Sequence, residues 1–214
     1  MRAILFALAL VLLSAGAAAQ RGADQINING QLVLAARAGG VQRVAQLLAD
    51  GAAVNSRDRN GDSPLNMAAS RGNAELVDLL LRASADVQLA NLAGVTPLMA
   101  AAHAGNPEIV RKLLAAGARP EPVDRVRKTA AVYAAGQGCT DCLEQLLRAG
   151  TPVNARLDHD LTLLMWSAGY GQEAAARLLL ERGADRSLRD DRGKTAADIA
   201  RELNHPALAQ LLAP

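Results

Sequence analysis

Cys139 and Cys142 are the only cysteines of the 214-residue chain and read Cys139-Thr140-Asp141-Cys142. Two thiols three residues apart at a helix start lie side by side near the positive end of the helix dipole, which lowers a thiol pKa and favours disulfide chemistry. At that spacing the Cα atoms are about 5 Å apart, within the span of a disulfide. In an oxidising compartment a local disulfide is expected. Thiol–disulfide catalysis is the rival use of the pair, but the βαβ pattern that accompanies the redox motif is missing. The three histidines, His103, His159 and His205, are far apart in the chain. Metal sites need closely spaced ligands, so no metal and no cofactor is expected. Neither a nucleophile-elbow nor a phosphate-loop pattern occurs, and the chain does not read as an enzyme.

What positions these residues is a repeat. A step of 33 carries Gly30 to Ser63, Thr96, Thr129, Thr162 and Thr195, and Gly39 to Gly72, Gly105, Gly138, Gly171 and Asn204. The leucine pairs Leu47-Leu48, Leu80-Leu81, Leu113-Leu114, Leu146-Leu147 and Leu179-Leu180 keep the same step. A fixed period without insertion means one small unit stacked repeatedly. The copy from Gly94 to Ala118 shows the unit. Thr96 is an N-cap and Pro97 suits the first helical position, where its missing N–H is not needed. Leu98, Ala101 and Ala102 give that helix a thin apolar face, and Gly105 supplies the positive φ that ends it. Asn106-Pro107-Glu108 starts a second helix whose stripe is Ile109, Val110, Leu113 and Leu114, stopped at Gly117. Helix, tight turn, helix and hairpin loop recur at about 25–57, 58–90, 91–123, 124–156, 157–189 and 190–214. Cys142 then falls in the inward slot of Leu76, Ile109 and Ala175, while Cys139 takes the cap slot of Asn73, Asn106 and His205. A capping role follows for His205 too.

This sequence resembles the ankyrin repeat family, whose repeat has this length and a T-P-L-H-x-A-A-x-x-G pattern. The resemblance covers about residues 25–214 and implies an all-α solenoid of helix-turn-helix units joined by hairpin loops, working by protein–protein binding. The family's histidine is replaced by Val33, Asn66, Met99, Val132, Met165 and Asp198, of which only Asn66 imitates its polar bonding. Its loop glycine stands at Gly61, Gly94 and Gly193 but is Arg127 and Asp160 in the fourth and fifth copies. Positive φ is tolerable for Asp and costly for Arg, so either these two residues take a different loop conformation or a partner at the middle tips offsets the cost.

In stacked repeats the tips and inner helices line a concave face, and their side chains are free of packing duty. The resemblance makes the same slots partner contacts: Leu92, Val95 and His103, then Arg125, Val126 and Lys128, then Asp158, His159, Leu161 and Tyr170. Towards the ends the same slots hold Arg57, Arg59, Asn60, Asp62 and Arg71, and Arg189, Asp191, Arg192 and Lys194. Arg and Lys outnumber acids there.

Residues 1–19 stand apart: Arg2, the apolar run Ala3 to Leu13, and Ala17-Ala18-Ala19 before Gln20 have the layout of a secretory signal peptide. The run is short for a spanning helix, which needs about 20 residues, so no membrane anchor is expected once it is cleaved. A mature domain of 20–214, periplasmic or secreted and monomeric, is expected. The net charge of +2 and 2% aromatic content argue against nucleic acid as a partner. The expected partner is a protein, and an accessory subunit of a periplasmic enzyme is one form of that reading.

Overall fold

A computed structural model describes residues 28–213. Twelve helices occur among them, with no strand. They are α1 (28–38), α2 (Val41–Ala49), α3 (Pro64–Ser70), α4 (Ala74–Arg82), α5 (Pro97–His103), α6 (Pro107–Ala115), α7 (Ala130–Gln137), α8 (Thr140–Arg148), α9 (Leu163–Gly169), α10 (Glu173–Glu181), α11 (Ala196–Glu202) and α12 (Pro206–Leu212). No helix among them is long and apolar enough to cross a membrane. The leader at 1–19 lies outside the described residues.

Each odd-numbered helix from α3 onward begins where the sequence places its cap. The side chains of Ser63, Thr96, Thr129, Thr162 and Thr195 accept from the backbone N–H three residues on, satisfying a donor that the helix leaves free. Asn73, Asn106 and the Cys139 sulfur do the same for α4, α6 and α8. His205 does not: it holds the N-cap position of α12, but its side chain makes no capping bond. The ring lies over Gly171 instead, within 3 Å of where a Cβ would stand.

The odd helices from α3 to α11 stack on one another as an inner row, and the even ones from α2 to α10 as an outer row. One leucine per even-numbered helix reaches the same depth, Leu47, Leu80, Leu113, Leu146, Leu179 and Leu212, each no more than 2% exposed. Burying a side chain of that size contributes about 2 kcal/mol. Between inner helices the room is smaller, and Ala36, Ala69, Ala102, Ala135 and Ala168 fill it without any exposure. Arg201 occupies that slot in α11 and is exposed, so the last layer ends in a polar face.

The tips between repeats are held by an acidic or amide side chain. Asp58, Asn91, Asp124 and Asp190 each turn one oxygen back onto the N–H groups two and four residues on, at 2.8–3.0 Å. Gly61, Gly94, Arg127 and Gly193 then take positive φ, +62° at Arg127. The fourth tip differs because Leu157 stands where the carboxylate should be. Without that anchor the chain closes in a short 3-10 turn, Asp158–Asp160, in which His159 and Asp160 both have positive φ.

Candidate functional site

The chain has one Trp, two Tyr and one Phe, and every one of these except Phe6 lies in a single cluster on the inner row. Tyr133 of α7 and Trp166 of α9 occupy the same position in consecutive repeats, so stacking sets them side by side. Tyr170 follows Trp166 by one helical turn, with ring centroids 6.1 Å apart and planes at 23°. On the other side His103 meets Tyr133 edge to face, at 5.2 Å and 87°. Gly136 lies inside α7, where a Cβ would touch the Tyr170 ring at 3.5 Å. A bulky side chain there would push the ring off the helix.

The tip of the fourth repeat closes this cluster from above. Lys128 places its ammonium 4.8 Å from the Trp166 ring centroid and 5.7 Å from that of Tyr133. Such contacts are worth about 0.5–2 kcal/mol depending on solvent exposure. Among the described residues no carboxylate pairs with Lys128, and none pairs with Arg125 three residues earlier. The nearby acid, Asp124, is turned inward and 5% exposed, accepting from Val126 N–H, Lys128 N–H and the Tyr133 hydroxyl. Burial and then this bond push the Tyr133 phenol well above its ordinary pKa, so it stays a donor to Asp124. A small cavity of about 60 Å³ remains between His103, Lys128, Tyr133, Trp166 and Tyr170. Beyond Trp166 a larger one of about 330 Å³ is lined by Leu161, Met165, Tyr170, Ile199 and Leu203.

Of the residues expected at a binding face, His103, Lys128 and Tyr170 come together here, and Arg125 and Val126 stand exposed on the adjoining tip. Leu92 is 54% exposed one tip earlier and lies over Gly61. Val95 and Leu161 are not free anchors: both are half-buried and packed on the core, because they sit just before the inner-helix caps. Asp158 and His159 belong to a separate cluster. There His159 Nδ1 lies 2.7 Å from Asp191 Oδ2 and Nε2 lies 3.7 Å from Asp158, and the bond to Asp191 with both acidic charges raises the imidazole pKa. Tyr133 and Trp166 were missed by reasoning on tip slots alone. Their signal was present: two aromatics 33 apart in an aromatic-poor chain must stack as neighbours.

Cys139 and Cys142 are brought together at the start of α8, with Cα atoms 5.3 Å apart. The Cys142 side chain is fully buried and Cys139 is half-buried. Burial of Cys142 leaves Cys139 as the one sulfur of the pair that an attacking thiolate could reach. Among the described residues no group of three or more His, Cys, Asp or Glu could hold a metal ion.

The family of ankyrin repeats, described as three copies, matches residues 32–124 and again 130–214. No curated protein matches the chain by sequence.

Proposed function

The chain belongs to the ankyrin-repeat family, whose members generally act through protein–protein interaction, and we propose that it is an exported, monomeric binding protein rather than an enzyme. Its partner docks on the inner groove of the fourth and fifth repeats. One observation carries this: a chain with 2% aromatic residues gathers Tyr133, Trp166 and Tyr170 at one partly open place beneath a cationic tip. Aromatic and Arg anchors inside a polar rim are what interface centres are made of.

Export rests on the leader at 1–19 and agrees with a Cys139–Cys142 bond that serves structure, not turnover. Affinity capture with the mature chain 20–214 as bait tests the reading. Tyr170→Ala and Arg125→Ala should each weaken capture by about 1 kcal/mol or more, and Leu92→Ala by less, with helical content unchanged. Capture that survives Tyr170→Ala and Arg125→Ala but is lost on altering Arg57 or Lys194 would move the site to the ends of the stack. Cell fractionation that finds the chain in the cytosol, beginning at Met1, would sink export.

A further inference from the structure

The groove has a chemical preference as well as a location. On its tip side the available groups are donors and cations. The Lys128 ammonium rests on two rings, the Arg125 guanidinium is exposed, and the Trp166 Nε1–H is covered with no acceptor among the described residues. The neighbouring carboxylates are already engaged: Asp124 by three donors, Asp190 by Arg192 and two backbone N–H groups, and Glu202 by Lys194. Across Trp166 the surface turns apolar, with Tyr170 52% and Leu203 54% exposed beside Ile199. We infer that the groove receives an acidic, apolar segment of the partner, a carboxylate seated on Lys128 and Arg125 and an aliphatic or aromatic side chain lying over Tyr170 against Leu203. This rests on the protein-binding reading above and adds the partner's chemistry.

The spacing sets the pattern of that segment. Lys128 Nζ stands 4.8 Å from the Trp166 centroid and the Tyr170 centroid 6.1 Å from that. The two ends of the groove are therefore at most about 11 Å apart, and the segment is extended at about 3.3 Å per residue with alternate side chains facing the groove. An Asp or Glu two positions from a Leu, Ile or Phe fits, since residues two apart share one face of an extended chain about 6.6 Å apart, whereas four apart is about 13 Å and overshoots. A segment with Lys or Arg in the acidic position is repelled by the tip.

Panning a random peptide library against chain 20–214 and titrating the enriched peptides against the emission of Trp166, the only tryptophan, tests this directly. Enriched peptides should carry the acid-to-apolar spacing, shift Trp166 emission and bind at least tenfold more weakly in 0.5 M than in 0.05 M NaCl. Lys128→Glu should lower their affinity tenfold or more. Arg125→Glu should also lower it tenfold, and because Arg125 is exposed that variant keeps the fold if Lys128→Glu does not. Peptides that shift Trp166 but are neutral or basic, and ignore both charge reversals, would overturn the inference and leave the protein-binding reading standing. A library that yields no peptide acting on Trp166, with lysate capture indifferent to Tyr170→Ala, would overturn both.

Discussion

Asp124 ties the groove to the fold, and its replacement separates the two roles of its carboxylate. One oxygen accepts from Val126 N–H at 3.0 Å and Lys128 N–H at 2.9 Å, and the other accepts from the Tyr133 hydroxyl. Asp124→Ala removes all three. Water reaches the two tip amides, so each loss there costs about 0.5–1 kcal/mol, while the half-buried charged bond to Tyr133 is worth about 1.5 kcal/mol or more. The expected destabilisation is about 2–4 kcal/mol. Asp124→Asn is a different case, because Asn91 occupies the same position one tip earlier and its oxygen accepts from Ala93 and Val95 at 2.9 and 3.0 Å. The amide should keep the tip and lose only charge on the Tyr133 side, about 1 kcal/mol, close to the expected cost of Tyr133→Phe. Urea unfolding followed by helical circular dichroism and by Trp166 emission measures both, and the emission should move first because stacked repeats open locally. An Asp124→Ala cost below about 1 kcal/mol, or an Asn variant as unstable as the Ala variant, would refute the claim that this carboxylate shapes the tip.

The cysteines should behave unequally. Cys139→Ser keeps an oxygen at the N-cap of α8 and should lower the melting temperature only slightly, whereas Cys142→Ser puts a hydroxyl at a fully buried position and should cost about 1–3 kcal/mol. Thiol trapping of chain 20–214 prepared under oxidising conditions should find neither sulfur free. The glycines divide likewise by denaturant unfolding. Gly136→Ala replaces a helical glycine with 3.5 Å of space and should stabilise by about 0.5–1 kcal/mol, while Gly138→Ala, at φ +72° and with the Gln172 amide where its Cβ would stand, should destabilise. In acid, Asp198 matters most clearly: bonds from the Thr195 N–H and hydroxyl, then from Arg201, lower its pKa from 3.8 to about 2. Because the folded value lies below the unfolded one, its stabilisation is present above about pH 4 and fades as pH falls towards 2. Melting of Asp198→Asn between pH 5 and pH 2 should therefore depend less on pH than melting of the parent chain.

The 33-residue period in this sequence determined a great deal by itself, since caps, turns and one leucine per layer are local demands that each repeat states in its own residues. Thr96, Pro97, Gly105 and Asn106 could be assigned their jobs before any neighbour was known, and Asn66 finds its expected polar bond to the next repeat, donating to the Val95 carbonyl at 3.0 Å. The register also contained the neighbourhood of Tyr133 and Trp166, because residues one period apart stack side by side. What it could not contain is the direction in which a side chain leaves a known position. Val95, Lys128 and Leu161 share one slot, yet Val95 and Leu161 fold onto the core while the Lys128 ammonium swings over two rings. His205 holds a cap position and lies over Gly171 instead. Each of those choices depends on which surfaces the adjoining repeat offers within a few ångströms, and that is settled only when the layers are stacked.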